Sequence, residues 1–327
     1  MRQIVLRTPG EFIERHIDPP GAAPGEALVR IHRVGICGSD FHAFNGVHPA
    51  YSFPRVIGHE LGCEVLEIPG NDKSIRPGDH CSIEPYINCD ACGPCRMNRP
   101  NCCEQLRLFG IHLDGGMQAF LSVPLRLLHK SATLSLDQLA LMETLGIGAH
   151  AVARAGLRPG EDAMVIGAGP IGLAVVQFAL AAGARVRVVE KSEHRRSFAR
   201  RFVDDVVPDP GETLASAVFD ATGSAVAMAD SLRLVAPGGR LIFVGLTRDP
   251  VSIDDALLHK REVTVYASRN SCHQFPRMIA MVERGEIDTG PWINARLPLA
   301  EVPREFAALR RRPDLVKAMV EVGDEDA

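Results

Sequence analysis

The sequence is most informative first for what it lacks. None of its apolar runs approaches the roughly 18 residues that a membrane-spanning helix needs, and the N-terminus, MRQIVLRTPGEF, has no apolar core of the signal-peptide kind. Charge of one sign is also missing: the formal net charge is −4, so neither a nucleic-acid nor an anionic-membrane partner is indicated. There is no internal repeat and no low-complexity segment, and 46% apolar with 23% charged residues excludes a disordered or fibrous chain. The cytoplasm is the expected location. At 327 residues the chain is too long for one ordinary hydrophobic core, so at least two domains are expected.

Nine cysteines are present, but they are not spread as a disulfide framework would be. Five fall between Cys89 and Cys103, and Cys89, Cys92, Cys95 and Cys103 read C-x-x-C-x-x-C-x7-C. Four thiolates at this spacing can close a tetrahedral zinc site with no open position, the signature of a structural ion. An iron–sulfur cluster is the competing reading; its fourth cysteine ordinarily follows after three residues and precedes proline, unlike the gap here. Cys102, beside Cys103, is an alternative fourth ligand. The flanking Asp90, Arg96, Arg99 and Glu104 do not form the concentrated basic patch of a nucleic-acid-binding ribbon.

Up to residue 135 the text is β-like. Ala27–Val34, His59–Glu67 and His80–Ile83 lie between Gly, Pro and Asp punctuation, and the first long helical pattern is Leu136–Ala155. From Arg158 the pattern alternates strand and helix, which implies a parallel sheet. After Ala267 the text is mixed again, with helices expected at Gln274–Arg284 and near Glu301–Arg310, and the final GDEDA reads as a loose, solvated tail.

Gly167, Gly169 and Gly172 form G-x-G-x-x-G directly after an apolar strand and at the start of an apolar helix. Gly167 would make the tight turn, Gly169 would let backbone approach a pyrophosphate, and Gly172 would let helix pack on strand. The helix N-terminus, with Pro170 and Ile171, would face the phosphates. The next strand ends in Glu190, at the distance expected of a ribose-binding acid, which favours NAD over NADP. Lys191, Arg195 and Arg196 just after it pull the other way, unless they form an exposed helix face. A glycine turn in a fold that binds no nucleotide is the bland alternative.

Three more segments carry potential metal ligands: Cys37-Gly-Ser-Asp-Phe-His42, Gly58-His59-Glu60, and Glu143 in Met-Glu-Thr-Leu-Gly. Singly, each has a dull explanation as a packed thiol, a buried histidine or a surface acid. Together, in this order and upstream of a dinucleotide fingerprint, they make the chain resemble the zinc-containing medium-chain dehydrogenase/reductase family. The resemblance implies a GroES-like, mostly β catalytic domain with a Rossmann doubly wound domain inserted. The expected boundaries are 1–143, with a zinc lobe at about residues 85–110, then 144–266, then 267–327 as the remainder of the catalytic domain.

By the same resemblance, Cys37, His59 and Glu60 would hold a catalytic zinc, and Glu143 stands where a fourth, exchangeable ligand belongs. Ser39 and His42 would relay a proton, and Asp40 would orient His59. Arg195, Thr222, Val244, Gly245 and Leu246 would join the glycine loop in holding the cofactor. Two zinc ions per chain, a nicotinamide dinucleotide and a homodimer or homotetramer follow. Glutamates at 60 and 143 point to the polyol and threonine dehydrogenase branch. NCCEQLRLFGIHLDGGMQAF is similar to dehydrogenases of sugar acids such as L-galactonate and L-gulonate, for which Arg107, His112 and Arg269 are candidate carboxylate contacts. An L-threonine or simple alcohol dehydrogenase, a zinc-free quinone reductase relative and a non-catalytic NAD-binding scaffold are the rivals. Two departures from the family pattern are expected to be local: Cys63 where glycine is usual, and a trimmed stretch between Glu190 and Asp220.

Overall fold

The computed structural model describes residues 1–70 and 74–327. The chain divides into two compact units, one of residues 1–143, 275–283 and 289–327, the other of 144–274 and 284–288. The first begins with a hairpin of β1 (Arg2–Thr8) and β2 (Glu11–His16), followed by β3 (Glu26–Ile36) and the short helix α1 (Gly38–Phe44). Then come β4 (Glu60–Glu67), β5 (His80–Ile83), β6 (Tyr86–Ile87), α2 (Gly93–Arg96), β7 (Arg107–Leu108), β8 (Phe120–Pro124), β9 (Leu128–Lys130) and α3 (Leu136–Ala140). Strand β3 is the axis of this unit. It pairs antiparallel with β4 along one edge, and with β8 and the C-terminal strand of the chain along the other. Ala27, Val29 and Ile31 alternate into the core, as a strand with one buried face requires.

The helical pattern at 136–155 divides. Helix α3 is capped by Ser135, whose Oγ accepts from the Gln138 N–H, and it ends where the Leu141 N–H is shared between the Asp137 and Gln138 carbonyls. Helix α4 (Met142–Ala155) then restarts, with Glu143 in its first turn.

The second unit runs β10 (Asp162–Ile166), α5 (Pro170–Ala181), β11 (Arg185–Val189), α6 (Glu193–Ala199), β12 (Val206–Val207), β13 (Ala215–Asp220), α7 (Ala225–Ser231), β14 (Val235–Phe243), α8 (Asp255–Arg261) and β15 (Thr264–Ala267). Its six strands are all parallel, in the order β12-β11-β10-β13-β14-β15. This is the doubly wound Rossmann order, which reverses direction between β10 and β13 and so opens a ligand crevice at their carboxyl ends. The trimmed stretch shows itself between β12 and β13, which are joined with no helix between them.

After α9 (Phe275–Glu283), the chain adds β16 (Ile293–Pro298), α10 (Val302–Leu309) and β17 (Lys317–Glu321) to the first unit, with β17 antiparallel to β3. The C-terminal GDEDA is not the loose, solvated tail expected from its charge. Asp326 is buried and paired with Arg2, Asp324 pairs with Arg30, and the Gly323 N–H donates to Asp326 Oδ2 at 2.8 Å. The acidic tail is held because two arginines of the first unit's strands lie opposite it. Cys63 packs fully buried, with its thiol donating to the Cys81 carbonyl at 3.4 Å across the β4–β5 pair.

Candidate metal and dinucleotide sites

Cys37 follows the last residue of β3, and His59 and Glu60 stand at the start of β4, beside it in the sheet. This antiparallel pairing brings a thiol, an imidazole and a carboxylate from distant parts of the sequence together, their ligand atoms lying within 4.8 Å of one another. Glycine at 35 makes room: it pairs with Glu60 across the strands, and a Cβ there would lie 2.1 Å from Glu60 Oε2. His59 is buried, yet among the described residues its Nδ1 has no hydrogen-bond partner. A buried polar nitrogen left unmet is costly, and sulfur, imidazole and carboxylate form a donor set that suits zinc. These residues therefore fit a metal ion. The local field fits too. Burial opposes charge on His59, but the negative Asp40, Cys37 and Glu143 outweigh it and hold its pKa well above that of an ordinary imidazole.

Helix α1 carries the other expected groups. Ser39 Oγ lies 3.5 Å from His59 Nε2, while His42 is exposed one turn further on. Asp40 is fully buried. Its Oδ2 accepts from the Cys37 N–H at 2.9 Å, its Oδ1 accepts from the Tyr51 hydroxyl at 3.3 Å, and the same Oδ1 is 3.8 Å from His59 Nδ1. That last separation exceeds a hydrogen bond, so Asp40 anchors the start of α1 and acts on His59 through charge alone. Glu143 stands outside the three-residue group and accepts a hydrogen bond from the Tyr86 hydroxyl. Burial pushes the Glu143 carboxyl up.

Two members of this site were not singled out in the sequence. Tyr86 is one. The other is Lys317 of β17, only 2% exposed, whose Nζ donates to both oxygens of the fully buried Glu60 at 2.7 and 2.8 Å. The sequence did carry a signal for it: a lone lysine in the otherwise apolar Leu-Val-Lys-Ala-Met-Val, where a buried charge demands a partner.

Cys89, Cys92, Cys95 and Cys103 form a second group within the same 4.8 Å limit, whereas Cys102 is exposed and outside it. The backbone turns towards the sulfurs. The Cys89 and Gln105 N–H groups donate to Cys103 Sγ and the Cys92 N–H donates to Cys89 Sγ, each at 3.3 Å. The N–H groups of Ala91 and Cys92 bring the Cys89 thiol down to about 6, into the thiolate range that a metal ligand needs. All nine cysteines are free thiols. Four converging sulfurs fit a structural zinc, which takes four ligands in a tetrahedron.

In the second unit, Gly167 takes φ +95° after β10, and Gly169 is the N-cap of α5, with Pro170 at its first position and no side-chain cap. A Cβ on Gly172 would lie 1.9 Å from the Gly167 carbonyl oxygen, so only glycine lets helix and turn close up there. A Cβ on Gly169 would meet nothing within 4 Å: the N-terminus of α5, with Ile171 in its first turn, opens onto free space. Glu190, at the end of β11, accepts from the Ala168 N–H at 2.9 Å and the Ser192 N–H at 2.8 Å. It thus stands beside the glycine loop, with Arg195 4.0 Å away. Arg196 is turned back onto the Glu190 and Lys191 carbonyls and onto Glu193. Thr222 and the Val244–Gly245 turn lie at the ends of β13 and β14, and Leu246 is 84% exposed beyond them. An open cradle at the switch point fits a dinucleotide.

Arg107 is exposed on β7, whose partner strand β6 carries Tyr86. His112 is exposed, and its Nδ1 accepts from the Leu108 N–H at 3.1 Å, which gives it a role in holding its own loop. Arg269 is exposed, in the second unit.

Comparison with known proteins agrees with this geometry. Residues 23–133 match the family profile described as an alcohol dehydrogenase GroES-like domain, and residues 170–284 match that of a zinc-binding dehydrogenase. The chain is 34% identical to the L-galactonate-5-dehydrogenase of Escherichia coli over 94% of both chains. It is 31% identical to the 2-dehydro-3-deoxy-L-galactonate 5-dehydrogenase of Pseudoalteromonas atlantica over 96% of both. Among solved structures, a protein of Sinorhizobium meliloti described as a zinc-binding dehydrogenase bound to NADP superposes with a TM-score of 0.90 at 28% identity, covering 98% of each chain. With these sequence matches spanning nearly its whole length, the chain belongs to the zinc-type medium-chain dehydrogenase/reductase family.

Proposed function

We propose that this protein is a zinc-dependent, NAD-linked dehydrogenase that oxidises a secondary alcohol of a polyol or sugar acid to a ketone. The observation that carries the reading is the convergence of Cys37, His59 and Glu60 within 4.8 Å in a chain 34% identical to an L-galactonate-5-dehydrogenase. Zinc at this site would supply a Lewis acid for the substrate hydroxyl, and a nicotinamide in the cradle would supply the hydride acceptor. Cys37, His59 and Glu60 would hold the catalytic ion, with Glu143 in reserve on the Tyr86 hydroxyl, and the four-cysteine lobe would hold the second.

Ser39 Oγ accepts the hydrogen bond of the substrate hydroxyl, and the exposed imidazole of His42, which can both accept and donate a proton, passes it to solvent. Glu190 takes the adenosine ribose hydroxyls and repels a 2′-phosphate, which favours NAD. Arg196 does not oppose this, since its guanidinium is engaged with the backbone and Glu193. For a sugar acid, Arg107, His112 and Arg269 are the candidates to meet the carboxylate. Nine free thiols suit a reducing compartment, and cytoplasmic residence as a homodimer or homotetramer belongs to the same proposal.

The test is NAD reduction across aldonates, their uncharged polyols and L-threonine, repeated with NADP. Turnover of an aldonate or polyol with NAD is expected. Turnover confined to L-threonine or to primary alcohols contradicts the substrate class, and a preference for NADP contradicts the role given to Glu190. If the substrate is an aldonate, Arg107→Ala or Arg269→Ala should lose aldonate activity far more than polyol activity. Equal losses on both would remove the carboxylate contact.

A further inference from the structure

The dinucleotide cradle contains one buried acid that none of these roles uses. Asp220 is the last residue of β13 and is fully buried. It lies opposite Ile166 of β10 on one side and Phe243 of β14 on the other, at the point where the strand order reverses. Its main-chain carbonyl accepts from both the Val244 and Gly245 N–H groups, at 2.9 Å each. Its Oδ1 accepts from the Thr222 N–H at 2.9 Å and from the Thr222 hydroxyl at 2.7 Å. The hydroxyl oxygen in turn accepts from the Ser224 N–H at 3.1 Å, which fixes its orientation. Oδ2 is buried with no partner among the described residues, a costly state for a carboxylate oxygen.

The turns tied to Asp220 touch one another through bare backbone. A Cβ on Gly245 would lie 2.3 Å from the Gly223 nitrogen, and one on Gly223 would lie 2.9 Å from the Leu246 carbonyl oxygen. A Cβ on Gly167 would lie 3.3 Å from Thr222 Cγ2. The loop after β13 therefore lies against both the loop after β10 and the loop after β14, and Asp220 bonds the loops after β13 and β14.

We propose that Asp220 is a positioning residue for the dinucleotide, holding Thr222 and the Val244–Gly245 turn in the arrangement that receives it beside the glycine loop. This rests on the dinucleotide site of the proposed function. Asp220 touches no reacting atom and acts through Thr222. Removing its Oδ1 frees the Thr222 hydroxyl and N–H, and the loop beside Gly167 loses its fixed place. A donor–acceptor geometry of this kind is reproduced by asparagine, whose Oδ1 accepts the same two bonds.

The experiment is an NAD titration of the zinc-loaded enzyme, followed by protein fluorescence or calorimetry, in Asp220→Ala, Asp220→Asn, Thr222→Val and the double variant Asp220→Ala/Thr222→Val. Zinc content and substrate KM at saturating NAD are measured alongside. Asp220→Ala should weaken NAD by about tenfold, the scale of losing one charge-assisted hydrogen bond. Asp220→Asn should stay within about threefold of wild type, and the double variant should be no weaker than Asp220→Ala, because residues acting through one network are not additive. Zinc content and substrate KM should hold in all four. An Asp220→Ala enzyme that binds NAD like wild type, an asparagine as damaging as alanine, or losses that multiply in the double variant would overturn the proposal. Should Asp220→Ala fail to fold, Thr222→Val removes the same side-chain bond with an isosteric group, and unchanged NAD affinity there overturns the proposal equally. A wild-type protein that binds neither NAD nor NADP overturns the dinucleotide site itself, a result distinct from any difference among the variants.

Discussion

The two metal-ligand groups of the first unit are built on opposite plans. In the cysteine lobe the four sulfurs come from one stretch of chain, Cys89 and Cys103 being 14 residues apart, and backbone N–H groups stand in for counter-charges. The Cys37, His59 and Glu60 group draws on two strands and is balanced from far away, since Lys317 reaches Glu60 across 257 residues. The first is a local knot with nothing but sulfur to offer. The second is part of the sheet and its core, with a mixed donor set, a buried counter-ion and neighbouring groups able to carry protons. A closed, uniform set suits an ion held for structure; a mixed set beside Ser39 and His42 suits one held for the proposed chemistry.

The comparison can be broken most easily at the ligands. Cys37→Ser should cut turnover by about a thousandfold, several kcal/mol of lost charge stabilisation, and leave the melting temperature nearly unchanged, because strand pairing rather than metal holds that site. Cys95→Ser should do the reverse. Binding at a structural site is coupled to folding, so the lobe should open and the melting temperature fall by about 10 °C, as scanning calorimetry would show. Two variants that lose stability alike would erase the distinction.

Lys317→Met sharpens it. Removing one partner of a buried ion pair leaves the other charge unmet, so the zinc-free protein should lose about 3–5 kcal/mol in denaturant unfolding. Adding Glu60→Gln should return most of that. A single variant as stable as wild type would mean that the pair contributes nothing to the first unit. Glu190→Ala, in the other unit, should weaken NAD by about tenfold and narrow the discrimination against NADP, measured as the ratio of the two dissociation constants.

The smallest effect belongs to a cluster of three residues in neither group. Asp137 of α3 accepts from Arg296 at 2.5 Å and from Arg33 at 2.9 Å, tying the helix to the sheet. Burial opposes its ionisation, but Arg296 and Arg33 outweigh that and hold its pKa below the ordinary value. A carboxyl lowered on folding stabilises fully above its unfolded pKa of about 3.9, and that contribution fades as pH falls through the lower folded value. Asp137→Asn should therefore cost about 1 kcal/mol at pH 7 and nothing in acid below both values. A cost that persists there would assign the effect to packing.

What the sequence made legible follows the same division. Spacing alone exposed the cysteine lobe and the glycine loop, because each is a local motif whose geometry is set within a few residues. Cys37, His59 and Glu60 came into view only through their order in a family pattern, since nothing in a strand shows what the neighbouring strand carries. Lys317 and Tyr86 were passed over for the same reason, since each acts on a partner supplied by another element. Asp220 served only to mark the end of the trimmed stretch. The C-terminal GDEDA was misread because charge predicts solvent unless arginines wait opposite, and Arg2 lies 324 residues away. The division of 136–155 into α3 and α4 was invisible because apolar periodicity continues across Leu141.

The central claim is that two separate metal sites of different kind share the first unit, and elemental analysis of zinc per chain tests it most directly. The wild type should carry two ions, one for each ligand group, with Cys37→Ser and Cys95→Ser each retaining one. A wild type that binds a single ion, or a Cys37→Ser protein that keeps both, would contradict the account.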